Sequence, residues 1–198
     1  MKYPAAFERL VTCLSRFQGI GRKTAERLVF DILSRWSDEA LQEFSTALSQ
    51  LRQGVTMCPE CRVHIETLPC PFCSFERHGA KTLCVVASSK DVYAIDTTNL
   101  FPGTFYVLGS LLSPLDDRGV ETMNMPLLKK RVSAGIEEVI FALDSSLEGD
   151  ATVSFLRNEL EPFSLKLSRL ATGVPVGASL DFVDRGTLSR ALSGRYRL

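Results

Sequence analysis

The chain lacks net charge, long apolar runs and internal repeats, and each absence removes a class of protein. Its 198 residues set 23 Lys+Arg against 23 Asp+Glu, which excludes a histone-like basic tail. With 45% hydrophobic residues the composition is that of a folded globular protein, not of a disordered or collagenous one. No export signal is visible, because Glu8 and Arg9 interrupt the start before an apolar segment can form. The longest charge-free window, Thr97 to Leu115, is broken by Pro102, Gly103, Gly109 and Pro114, so no membrane span is expected. The length allows one good core or two modest ones with small appendages. Six cysteines without an export signal predict the reducing cytosol and a cytoplasmic protein. Clustered thiols there point to metal before disulfides.

Neutrality hides a segmental pattern. Met1 to Trp36 carries seven basic and three acidic residues, whereas Lys81 to Phe155 carries six basic and ten acidic ones. The tail from Arg185 onward holds Arg185, Arg190, Arg195 and Arg197 with no acid. A neutral chain can still meet a polyanion through such ends.

Periodicity divides the chain into four parts. Phe7, Leu10, Val11, Leu14 and Phe17 recur at helical spacing, as do Ala25, Leu28, Val29, Ile32, Leu33 and Trp36 beyond the break Gln18-Gly19-Ile20-Gly21. Leu41, Phe44, Leu48 and Leu51 predict a third helix capped by Ser37 or Asp38. Met57 to His78 is rich in Cys and Pro and too poor in large apolar residues to build its own core. From Lys81, strands predicted at Leu83–Val86, Phe105–Leu108, Val139–Leu143 and Leu165–Leu170 alternate with helices at Asp91–Thr97, Pro126–Ala134 and Asp150–Leu160. That alternation predicts an α/β fold with a parallel sheet covered on both faces. A Gly-rich tail with a short helical run near Leu192 ends the chain.

The strongest chemical signal is Cys58-Pro59-Glu60-Cys61 followed by Cys70-Pro71-Phe72-Cys73. Two CxxC knuckles place four sulfurs where a tetrahedral Zn²⁺ would take them, and a full thiolate set leaves no position for a catalytic water. Four reduced thiols or two disulfides are the alternatives, and spacing with poor local hydrophobicity favours structural zinc. His64 and His78 are read as surface histidines, and Cys13 and Cys84 as small buried hydrophobes.

Gly19-Ile20-Gly21-Arg22-Lys23 forms a hairpin that feeds a helix with a basic first turn. Without side chains at the glycines, backbone N–H groups can approach an oxyanion, and Lys23 and Arg27 fall on one helix face. Such geometry grips phosphate without reading bases. A plain helix-turn-helix with solvated charges is the competing reading, and a P-loop is excluded because Arg16 and Arg22 stand where its first Gly and its Lys belong. A third cluster, Asp144, Glu148 and Asp150, follows a predicted strand and opens a helix. It fits a weak Mg²⁺ or partner site at the carboxyl end of a sheet, and equally fits helix capping by Asp144 or the adjacent serines.

Taken in order, these motifs resemble the bacterial recombination mediator family RecR over essentially the whole chain. Gln18 to Leu28 resembles the family hairpin, the CxxC pairs its finger, and Leu108-Gly109 with Leu112-Ser113-Pro114-Leu115 its Toprim insert. Gly173 to Gly177 and Thr187 to Leu192 resemble its C-terminal signature. The resemblance implies a helix-hairpin-helix region for DNA binding and oligomerisation at 1–56, a four-cysteine zinc finger at 57–78, a Toprim domain at 79–171 and an arm at 172–198. It further implies a DNA-binding, clamp-like homo-oligomer, expected to be a tetramer, that works with RecO and in some lineages RecF to load recombinase. Gly19, Gly21, Arg22, Lys23 and Arg27 would face DNA. Toprim enzymes carry a general acid/base Glu where this chain has Ala87, and a second Asp where it has Ser146. Those two departures disfavour nucleotidyl transfer. Two other classes compete: a Mg²⁺-dependent Toprim nuclease or primase-like enzyme, and an adaptor without DNA affinity.

Overall fold

The computed structural model describes residues 3–74, 77, 79–113 and 120–195; His78, Pro114, Leu115 and Arg197 lie outside them. Two units pack separately, residues 1–54 and 55–198.

In the first unit, helices α1 (Ala5–Leu14) and α2 (Arg22–Arg35) close on a small core of Phe7, Val11, Ala25 and Val29. Tyr3, Phe7 and Phe30 extend it as an aromatic cluster with centroids 4.3 to 5.9 Å apart. The turn between the helices needs Gly19, whose φ of +82° is the left-handed region that side chains disfavour. Helix α3 (Asp38–Gly54) starts from Ser37, whose Oγ accepts from the Ala40 N–H at 3.3 Å. None of its residues is buried, and Leu41, Phe44, Leu48 and Leu51 are exposed along it.

The second unit opens with a short antiparallel hairpin that pairs β1 (Thr56–Met57) with β2 (His64–Ile65). Its frame is four parallel strands, β3 (Thr82–Val86), β4 (Thr104–Val107), β5 (Glu138–Ala142) and β6 (Lys166–Arg169), in the order β4-β3-β5-β6. Strand alternation divides the core in two. Leu83, Val85, Tyr106, Val139 and Phe141 point to one face, where two helices, Met125–Ser133 and Leu147–Leu160, cover them with Leu128, Val132, Leu156 and Leu160. Cys84, Val86, Phe105, Val107 and Ala142 point to the other. There the cover is helix α4 (Ser89–Asp96), through Val92, and the four-cysteine segment that carries the β1–β2 hairpin. The helices of the first face follow in the chain as α5 (Met125–Ser133) and α6 (Leu147–Leu160).

The cysteine segment has no core of its own, but Val63, Ile65 and Phe72 pack directly into the sheet's hydrophobic face. It also covers the β4 edge: the Phe105 and Val107 N–H groups donate to the carbonyls of Phe72 and Cys61 at 3.4 and 2.9 Å. The Arg62 guanidinium donates to the Val107 and Leu108 carbonyls at 3.2 and 2.7 Å. An open strand edge is thereby satisfied. Helix α6 begins at Leu147, earlier than periodicity suggests, because Ser146 caps it by accepting from the Gly149 N–H at 3.1 Å. After β6 the chain runs through residues 172–184 to α7 (Arg185–Ser193), capped by Asp184.

Candidate metal centre and nucleic-acid interface

The two knuckles bring Cys58, Cys61, Cys70 and Cys73 together in the buried face of the second unit. Their sulfurs all lie within 4.8 Å of one another, the only such group of three or more potential metal ligands among the described residues. Cys58 and Cys73 approach at 3.6 Å and Cys61 and Cys70 at 3.5 Å, far beyond a disulfide bond. A tetrahedron of metal–sulfur bonds near 2.3 Å has edges of about 3.8 Å, so the observed spacing fits a tetrathiolate ion site. Protonation alone leaves the set frustrated. Hydrogen bonding from Cys61 pulls the Cys73 thiol down to about 6, whereas burial pushes Cys70 up to about 11, and Cys61 rises as the donor to Cys73. A divalent cation would let all four ionise together.

The other cysteines part company. Cys84 is buried, and desolvation raises its thiol to about 12, which makes it inert as expected. Cys13, expected to be buried, is exposed: α1 turns Phe7 and Val11 inward, and Cys13 falls off that stripe. His64 is an exposed residue of β2 with its ring near Ser89, Nδ1 to Oγ 2.8 Å.

At the hairpin, the sequence-predicted residues divide by their partners. The Arg22 guanidinium donates to both Glu8 carboxylate oxygens at 2.9 Å and lies 3.0 Å from Glu26. Lys23 and Arg27, both exposed, have no ion pair among the described residues and stand four apart on α2. Gly21 is the α2 N-cap with extended backbone, and a Cβ placed on it or on Gly19 would meet no atom within 4 Å. Open space over the first N–H groups of a helix, beside two unengaged cations, is a surface that can hold a phosphate oxygen.

The acidic trio is arranged differently. Asp144, Glu148 and Asp150 lie at the carboxyl end of β5 and in the first turn of α6, but their oxygens do not form a close ligand group. Asp150 faces arginines: Arg169 donates to its Oδ1 at 2.6 Å, and Arg190 approaches its Oδ2 at 3.6 Å. The Arg169 hydrogen bond holds the Asp150 carboxyl below its ordinary value. Ala87 follows the neighbouring strand β3, where its carbonyl accepts from the Gly109 N–H at 2.9 Å. Gly149 fits only as glycine, since a Cβ there would lie 1.9 Å from the Asp144 carbonyl oxygen. Sequence reasoning missed Arg62, Arg169 and Thr152. The Thr152 hydroxyl accepts from the Leu112 N–H and donates to the Glu148 carbonyl, anchoring the segment after β4. All three are long-range contacts with no motif to mark them.

The chain is similar to known proteins over its whole length. Family models match at residues 7–52 (RecR, helix-hairpin-helix), 81–171 (Toprim domain) and 173–196 (RecR, C-terminal). Recombination protein RecR of Protochlamydia amoebophila is 42% identical over 198 residues, covering all of both chains. Those of Chlamydia abortus and Chlamydia trachomatis serovar D are 43% and 41% identical, over 98% of each chain. No helix among the described residues is long and apolar enough to cross a membrane. With its hairpin, Toprim and C-terminal segments matched in order and its whole length aligned to such relatives, the chain belongs to the RecR family of recombination proteins.

Proposed function

We propose that this chain is a non-enzymatic, DNA-binding recombination mediator of the cytoplasm. It acts in recombinational DNA repair as a clamp-like homo-oligomer on DNA, expected to be a tetramer, and works with RecO and in some lineages RecF to load recombinase. The observation that carries the reading is the hairpin: Lys23 and Arg27 exposed and unengaged among the described residues, beside an open helix N-terminus at Gly19 and Gly21. Arg22 contributes less, because meeting a phosphate would cost it Glu8 and Glu26. Zinc held by Cys58, Cys61, Cys70 and Cys73 would be structural. It would supply no chemistry, only the charge that lets four buried thiolates coexist. The exposed apolar stripe of α3 supports self-association. Ala87 and Ser146 support the absence of nucleotidyl transfer, since neither side chain can act as the carboxylate that chemistry uses. The functional parts follow 1–56, 57–78, 79–171 and 172–198.

Replacing Lys23 and Arg27 together with Ala tests the reading. Affinity for duplex DNA should fall across unrelated sequences, with the slope of log K against log salt reduced by about 0.9 per lost contact. Unchanged affinity and slope would move the DNA site elsewhere. Wild-type protein with Mg²⁺ or Mn²⁺ should show no strand cleavage or primer synthesis; reproducible turnover lost in Asp144→Ala/Glu148→Ala would make it an enzyme.

A further inference from the structure

The segment after β6 lacks the usual means of attachment. None of residues 171–195 is buried, and Val176, Leu180, Phe182 and Leu192 all project their apolar side chains into solvent. Between α7 and the end of the sheet lies an open cleft of about 410 Å³, lined by Ser145, Ala171, Thr172, Asp184, Thr187 and Arg190. Of this helix and the two residues before it only Val183, Thr187, Leu188 and Ala191 are half-buried, so close packing holds it weakly. What reaches across is Arg190, which contacts the Asp150 carboxylate at 3.6 Å and donates to the Ser145 carbonyl at 3.4 Å.

Asp150 is the centre of that contact. Its other oxygen accepts from Arg169 at 2.6 Å, and Arg169 also donates to the Asp144 carbonyl at 3.1 Å, fixing it against the carboxyl end of β5. One carboxylate thus joins a guanidinium from β6 and one from α7. Asp150 and Arg190 are each nearly half exposed, which leaves the bridge open to salt. Two guanidinium groups at one carboxylate also supply the positive charge that a cation would otherwise bring.

We propose that Asp150, bridged by Arg169 and Arg190, is a salt-sensitive latch that holds α7 on the sheet's carboxyl end, and that this carboxylate serves the C-terminal segment and not a divalent cation. Opening the latch releases a helix carrying Arg185 and Arg190, with exposed Phe182 just before it. An element held this way sits at the low-stability end of the molecule and opens without unfolding the sheet. The inference stands apart from the DNA-binding reading, since it involves neither Lys23 nor Arg27.

Amide hydrogen exchange of the full-length protein tests it. Asp150→Asn and Arg190→Gln should each speed exchange in α7 by about three- to tenfold while β3 and β5 amides stay protected. The double variant should be slower than the product of the two single effects, because both remove the Asp150–Arg190 bridge. Raising NaCl on wild-type protein, which needs no variant to fold, should accelerate α7 in the same way. MgCl2 at matched ionic strength should do no more than NaCl. Unchanged α7 exchange in Asp150→Asn, or in wild type at high salt, overturns the latch. A Mg²⁺-specific effect abolished by Asp150→Asn would assign that carboxylate to a cation and overturn it as well.

Discussion

At the scale of single residues, three glycines do different things. Gly19 is required by a left-handed φ, Gly21 has room around it, and Gly149 is held by contact with the Asp144 carbonyl. Gly149→Ala should therefore lower the unfolding free energy by about 2–3 kcal/mol, since a backbone atom must move to admit the methyl. Gly21→Ala should cost no more than about 1 kcal/mol, the loss at a helix N-cap. Urea denaturation of both variants separates them; similar losses would show that the Gly149 contact relaxes freely. A helix turn at Gly19 was legible because a break between periodic segments needs such a residue. The Gly149 contact was not, because it depends on how the strand-to-helix turn folds back on itself. Cys13 shows the reverse failure, a thiol whose exposure follows from which stripe of α1 faces inward.

At the scale of elements, period-2 and period-3.6 patterns locate strands and helices to within a few residues, and the departures have local causes. Helix α6 starts early because Ser146 offers a side-chain cap, a role open to several residues in that acidic turn. The segment after β4 is fixed by Thr152, fully buried in α6, whose hydroxyl receives the Leu112 N–H at 2.9 Å. Thr152→Val keeps the shape and removes the acceptor. It should cost about 1–3 kcal/mol by leaving that amide without a partner, and should speed its exchange. A stable variant with a still protected Leu112 amide would mean that another group takes over the bond.

At the scale of the whole molecule, the cysteine segment and the sheet are one structure. Val63, Ile65, Phe72 and the four cysteines share a core with Cys84, Val86, Phe105 and Val107, so the ion would hold part of the sheet's cover as well as its own loop. Stripping metal with a chelator, or replacing Cys70 with Ser, should release about one zinc per chain and lower the melting temperature. It should also deprotect the Phe105 and Val107 amides, whose partners are the Phe72 and Cys61 carbonyls. Amides in α1 and α2 should be unaffected, because their core is separate. Protein that contains no zinc, or β4 amides that stay protected without it, would separate the two.

What the sequence by itself determined is whatever is written in local spacing: the cysteine knuckles, the glycine hairpin with its basic helix start, and the alternation that makes a parallel sheet. Each of these needs only neighbours in the chain. The tertiary structure decided the partners. It set Arg22 on Glu8 and left Lys23 and Arg27 without ion pairs among the described residues, packed the cysteine segment on a sheet face, and turned Asp150 toward Arg169 and Arg190. A charge in sequence carries no record of what will stand opposite it, because salt bridges and edge hydrogen bonds join residues that only folding brings within a few ångströms.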